Sequence, residues 1–258
     1  MSNIHNQVKA QFSKTSEAYV NSVIHAKGED LQQVLGLAGD VQDKSVLDIA
    51  TGGGHTALAF AKAGAKVTAT DLTPQMLVKA REFLQSQSIH TVIFQEASAE
   101  QLPFAEESFD IVTCRIAAHH FADSVAFVGE VARVLKPFGQ LFLIDNISPV
   151  NRELSEVMNK IEKWRDPSHV WACSIPFWVE CSTKAGLEIY SLSRFKRKKN
   201  YGEWVKNAQT PSDVVQELEA YVLSLPPAYQ GYFEVVEDNQ KLISLSHEVM
   251  ILQASKMG

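Results

Sequence analysis

Between Ser45 and Asp145 the chain alternates short β-branched apolar runs with segments of helical period, the pattern of a parallel sheet covered by helices on both faces. The apolar runs predict strands at Ser45 to Ala50, Lys66 to Thr70, Thr91 to Gln95, Phe109 to Arg115 and Gly139 to Asp145. Helices fall between them near His55 to Ala63, Pro74 to Gln87 and Asp123 to Leu135. Gly64 stops the first and Pro137 with Gly139 the third, while Thr73 before Pro74 is a helix start. Residues 1–39 read as one or two amphipathic helices, too short to fold alone and therefore packed on the sheet domain of residues 40–258.

Beyond Pro149 the pattern changes. Asn151 to Lys163 and Ile175 to Ala185 are helical, separated by a break at Arg165-Asp166-Pro167-Ser168-His169. Leu187 to Arg194 and His247 to Ala254 predict two more strands. The stretch 201–239 between them carries Pro211, Pro226, Pro227 and a helix-period segment from Ser212 to Leu225, and reads as an inserted helical cap. The run Lys196 to Lys199 reads as a solvated strand end that discourages further sheet pairing.

Composition narrows the class. With 45% hydrophobic and 21% charged residues in 258, the chain is a folding sequence and neither disordered nor collagenous. A net charge of −6 repels polyanions, so nucleic acid is not an expected partner. Cys114, Cys173 and Cys181 form no CxxC pair and no metal-ligand spacing, which points to a reducing cytoplasm and no metal. The first eleven residues are polar, and no run approaches the roughly eighteen apolar residues of a membrane span, so neither export nor stable insertion is expected.

The sharpest local signal is Val46-Leu47-Asp48-Ile49-Ala50-Thr51-Gly52-Gly53-Gly54-His55-Thr56-Ala57, a strand running into glycines and then a helix. Glycines there let the backbone turn tightly and approach a ligand. Asp71 follows at the end of the second strand, where a carboxylate accepts ribose hydroxyl hydrogens. Gly52, Gly54 and Ala57 also satisfy G-x-G-x-x-A, the dinucleotide fingerprint of an NAD(P)-dependent oxidoreductase. Asp48 argues against that reading, because a carboxylate just before the glycines repels a pyrophosphate and attracts a cationic ligand. The structural alternatives are that Asp48 caps the glycine turn and Asp71 the turn after its strand.

These residues, together with Asp71-Leu72-Thr73-Pro74-Gln75-Met76, Ala97-Ser98-Ala99-Glu100, Leu102-Pro103-Phe104, Ser108 to Val112 and Arg133 to Gly139, resemble the class I S-adenosylmethionine-dependent methyltransferases. The chain is similar in particular to the group that includes the ubiquinone and menaquinone C-methyltransferases. The resemblance covers about Ser45 to Pro149 and departs mildly at Phe138-Gly139, where relatives carry two glycines. It implies a Rossmann-like α/β fold: a seven-stranded, mostly parallel sheet with its last strand antiparallel, an N-terminal helical lid over residues 1–39, and S-adenosylmethionine across the strand ends. Asp48, Ala50 and the Gly52 to Gly54 backbone would then hold the methionine part and Asp71 the ribose. Leu72 and Met76 would cover the adenine face, with Ser98 and Ala99 along its edge; many relatives have Asp at the Ser98 position. Phe12 and Tyr19 match the lid's aromatic pattern, the alternative being helix-core packing.

Methyl transfer demands alignment, a dry pocket and removal of the acceptor's proton. The expected place is the end of the fourth strand, at Cys114-Arg115-Ile116-Ala117-Ala118-His119-His120-Phe121. One of His119 and His120 is a candidate base with an ordinary pKa of roughly 6.5, and the sequence does not choose between them. Arg115 either contacts the ligands, clamping an acceptor carboxylate or phenolate, or pairs with a lid carboxylate. Arg165 and His169 are expected at the acceptor-pocket rim, and Trp164, Trp171, Phe177, Trp178 and Trp204 make an aromatic acceptor reasonable. The reading is a cytoplasmic methyltransferase, monomeric or homodimeric, acting at carbon or oxygen of a small aromatic or quinone-like molecule. Its rival from another class is a cofactor-binding module with this fold and no turnover.

Overall fold

The protein is described from a computed structural model, which covers residues 3–20 and 28–258, with the side chains of 16–20 left aside. Helices α1 (Asn3–Val20) and α2 (Glu29–Ala38) precede β1 (Ser45–Ile49), α3 (His55–Lys62), β2 (Lys66–Asp71), α4 (Pro74–Ser86), β3 (Ile93–Glu96) and β4 (Phe109–Arg115). A short 3-10 turn, Ala118–His120, leads to α5 (Ser124–Val134) and β5 (Leu135–Ile147), then α6 (Arg152–Arg165), α7 (Ile175–Lys184) and β6 (Leu187–Asn200). The chain ends with α8 (Tyr201–Asn207), α9 (Ser212–Leu223), α10 (Pro227–Tyr232), β7 (Val236–Asp238) and β8 (Lys241–Lys256).

The sheet runs β3-β2-β1-β4-β5-β8-β6, parallel through β5, with β8 antiparallel to both its neighbours. This seven-stranded path is the expected one. The short β7 pairs with β8 off the path and adds an eighth strand inside the 201–239 segment, which is therefore not wholly helical. The order reverses between β1 and β4, and clefts open at the carboxyl ends of strands beside such a reversal.

The strands are apolar because both faces are covered. Leu47, Ile49, Val112 and Leu143 pack with Phe127, Val131 and Trp178 on one side. Val46, Ile111, Phe142 and Ile144 pack with Val34, Phe60 and Leu84 on the other. Each large side chain so removed from water contributes about 1.5–3 kcal/mol. The 201–239 segment builds a third cluster, in which Trp204, Leu218, Val222 and Phe233 meet Met158 and Ile161 of α6 and Leu245 of β8.

Two sequence expectations change here. β6 runs to Asn200 and β8 from Lys241, both far longer than expected, so Lys196 to Lys199 lie inside a paired strand. Alternation explains the difference: Lys196 and Lys198 are exposed, whereas Arg197 and Lys199 turn inward and find buried acids. Arg197 pairs with Asp30 at 3.1 Å and Lys199 with Glu162 at 2.9 Å.

Helix α1 lies across the strand ends. Lys9 pairs with Glu96 at 2.7 Å, and the Ser13 hydroxyl donates to Gln75 at 3.1 Å. At its other side, Gln11 donates to the Ala208 carbonyl at 2.7 Å and Gln209 to that of Lys14 at 3.1 Å, tying α1 to the segment after α8.

Candidate active site

A cleft of about 920 Å³, open mouth included, lies at the carboxyl ends of β1, β2 and β4 under α1. Asp48, Ala50, Gly52, Asp71, Leu72, Met76, Ala99, Arg115 and His120 line it, with His5, Val8 and Phe12 of α1 as its roof. Ala50 and Ile116, both on its wall, hold left-handed backbone at φ 53 and φ 55. Such a conformation in a β-branched residue stores strain, of order 1–3 kcal/mol, and strain of this kind gathers at functional sites.

Asp48 sits deep in the wall. Its two oxygens accept from Thr51 Oγ1 at 2.6 Å and Thr113 Oγ1 at 2.8 Å, and burial pushes its carboxyl up to about 6. Asp71 accepts from the backbone N–H of Gly52 at 3.0 Å and of Thr73 at 2.8 Å, and burial lifts it to about 6 as well. It takes the turn-capping role, which the Thr73 side chain does not fill, while still facing the cleft. Two carboxylates thus flank the glycine turn.

Gly54 and Ser98 stand outside the cleft wall, contrary to expectation. Gly54 is a glycine for packing: at φ 84, a Cβ there would lie 2.7 Å from Leu84 Cδ1 and 3.2 Å from Ala80 Cβ, so its absence lets α3 approach α4. The Ser98 hydroxyl is turned onto the Glu100 carboxylate, and Ala97, Ala99 and Glu100 face the cleft instead. Tyr19 lies outside the described residues as far as its side chain is concerned.

The structure separates the adjacent histidines. His120 lines the cleft, with its Nδ1 3.2 Å from Ser168 Oγ. Burial, and the neighbouring His119, push it down to about 4, well below the ordinary imidazole value. His119 is turned away from the cleft: Nδ1 meets Asp145 Oδ1 at 2.6 Å, and its backbone N–H meets Asp145 Oδ2 at 2.8 Å. Asp145, 1% exposed, escaped the sequence reading; its signal was a lone acid at the end of the otherwise apolar Leu141-Phe142-Leu143-Ile144.

Arg115 takes the pairing role. Asp30 of α2, also missed from sequence, receives its Nε at 2.8 Å and Nη2 at 3.1 Å, with Arg197 on the same carboxylate. Burial works to raise the Asp30 carboxyl, but Arg115 and Arg197 outweigh it and hold it low. Arg165 and His169 are not at a rim, since both are buried behind the histidine pair. His169 Nε2 is 2.8 Å from Asn159 Oδ1, and burial pushes its imidazole down to about 2. Arg165 holds Glu162 at 3.1 Å. Among the described aromatics Trp178 and Trp204 are core, and Trp171 is exposed.

An acidic wall, a glycine turn and an apolar flank of Leu72, Met76 and Ala99 suit a cationic nucleoside and not a pyrophosphate. Comparison with known proteins agrees. The family described as "Methyltransferase domain" matches residues 47–143. The uncharacterized methyltransferase YcgJ of Bacillus subtilis strain 168 is 35% identical over 246 residues, 95% of this chain and 97% of its own.

The chain belongs to the class I S-adenosylmethionine-dependent methyltransferases.

The crystal structure of Bacillus subtilis YcgJ superposes with a TM-score of 0.86 at 33% identity, covering 89% of this chain and 99% of that one. The phosphoethanolamine N-methyltransferase 2 of Haemonchus contortus, in complex with S-adenosyl-L-methionine, shares the fold at TM-score 0.65 and 17% identity over 100% of this chain and 61% of that one. Membership of that family makes S-adenosylmethionine the cofactor, and the oxidoreductase reading falls away.

Proposed function

We propose that the methyltransferase transfers a methyl group to carbon or oxygen of a small aromatic or quinone-like acceptor, with His120 as the base that takes the acceptor's proton. The observation that carries this is the single cleft wall on which Asp48, Asp71 and His120 meet. Asp48 attracts the cationic end of the cofactor, the Gly52 and Gly53 backbone follows it, and Asp71 accepts from the ribose hydroxyls. Leu72, Met76 and Ala99 cover the adenine. When bound, the cofactor supplies a methyl group activated by a sulfonium. The chain supplies alignment, water exclusion by α1 with Phe12, and proton removal.

His120 is neutral at physiological pH, so a ring nitrogen is free to accept a proton. Residues 1–39 serve as the lid, and 201–239 as a cap that anchors α1 through Ala208 and Gln209. Support for the acceptor class comes from the demethylmenaquinone methyltransferase of Chlorobaculum parvum, 39% identical over 111 residues, 43% of this chain and 44% of that one. Among the described residues no helix is long and apolar enough to cross a membrane, and all three cysteines are free and buried, which favours work in the cytoplasm.

The test is a screen of phenols, quinones and small carboxylates for cofactor-dependent methylation, read by mass spectrometry. Methylated phenols or quinones are the expected products. Cofactor binding with no product from any acceptor would favour a binding module.

A further inference from the structure

Behind His120 lies a turn that the catalytic reading does not use. Asp166 Oδ1 accepts from the backbone N–H of Ser168 at 2.9 Å and from its hydroxyl at 2.6 Å. The same Ser168 oxygen is the group 3.2 Å from His120 Nδ1. All three residues are buried, with Ser168 and Asp166 each 1% exposed.

Proton bookkeeping gives this chain a direction. Asp166 has Arg165 Nη2 3.6 Å from its second oxygen, and a carboxylate so placed stays ionised and only accepts. A serine hydroxyl has one hydrogen, and at 2.6 Å from the carboxylate that hydrogen points to Asp166. The Ser168 oxygen can then only accept from His120, so the imidazole carries its hydrogen on Nδ1. Nε2 keeps its lone pair, on the residue that lines the cleft.

We infer that Ser168 and Asp166 are positioning residues that hold His120 in the Nδ1–H tautomer, with Nε2 as the basic nitrogen. This rests on His120 being the base, and it extends that reading by naming which ring nitrogen does the work and what fixes it. Without the chain the imidazole would drift toward the Nε2–H tautomer preferred by free histidine, and the nitrogen offered to an acceptor would be a donor in place of a base. The Asp166-Pro167-Ser168 turn, readable from sequence as an ordinary proline turn, thus acquires a task. Asp166 binds the amide two residues on, which sets the Ser168 oxygen in place.

The test needs no acceptor. Protein labelled with ¹⁵N-histidine, saturated with S-adenosylhomocysteine, is examined by multiple-bond ¹⁵N–¹H correlation, the His120 ring being assigned by its loss in His120→Ala. The expected result is an Nδ1–H ring in the wild type and in Ser168→Thr, which keeps the hydroxyl, and a shift to mainly Nε2–H in Ser168→Ala. A wild-type ring in the Nε2–H form, or a ring unmoved by Ser168→Ala, would overturn the inference. The two readings fail separately: if the tautomer follows Ser168 while His120→Ala keeps full methyl transfer, it is the base that is wrong and not the positioning.

Discussion

The ring of Phe12, from α1, stands edge-on to the imidazole of His120, with centroids 5.0 Å apart and planes at 86°. The helix that roofs the cleft thereby covers the group proposed to move the proton, and part of the burial that keeps His120 neutral comes from a side chain of the proposed lid. Removing the ring in Phe12→Ala is expected to lower turnover about tenfold and to bring the imidazole back toward its ordinary value, since burial is the main cause of its shift. An NMR titration of His120 checks this; an unchanged titration would remove Phe12 from the account.

The raised carboxyls predict a pH dependence of binding. Native Asp48 and Asp71 hold their protons up to about 6, against 3.8 for an ordinary aspartate. Between those values the folded state binds more protons than the unfolded one, so these two groups contribute less stability as pH rises through that window. A cationic ligand prefers them ionised. Calorimetry should therefore show S-adenosylmethionine binding about tenfold more weakly near pH 5 than near pH 7.5, with proton release on binding at the lower pH. Affinity independent of pH would mean that neither carboxylate faces the cofactor's charge.

Asp71→Ala should weaken S-adenosylhomocysteine by about ten- to a hundredfold, since a charge-assisted pair of hydrogen bonds goes with the carboxylate. It should also lower the melting temperature, because the Gly52 and Thr73 amides lose their acceptor. A drop in stability with affinity intact would reduce Asp71 to a turn cap.

Gly54→Ala is expected to destabilise the protein by about 2–3 kcal/mol, through left-handed backbone and the clash with Leu84, and urea unfolding measures it. A loss of cofactor affinity at unchanged stability would show that Gly54 serves the ligand after all.

What was legible in the sequence was local or periodic. Strands buried on both faces announced themselves as apolar runs, and the glycine loop with Asp71 could be read because strand, turn and helix follow one another. The edge strand β3, largely exposed, gave a weak pattern, and its start was set two residues early. β7 is three exposed residues with no pattern at all. Arg197 and Lys199 looked solvated because their partners, Asp30 and Glu162, come from distant segments. The same limit hid the surroundings of the histidines: His119 meets an acid 26 residues on, and His120 a hydroxyl 48 residues on, so nothing local marks either pair.

Whether His120 takes the acceptor's proton is decided by single-turnover methyl transfer in His120→Ala and His119→Ala, using an acceptor from the screen. His120→Ala is expected to lose about a hundredfold in rate and to keep its affinity for S-adenosylhomocysteine, because the imidazole acts on the acceptor and not on the cofactor. His119→Ala should mainly lower the melting temperature, since that ring partners the Asp145 carboxylate in the core. Full turnover in His120→Ala would contradict the claim and leave alignment in the cleft as the whole of the catalysis.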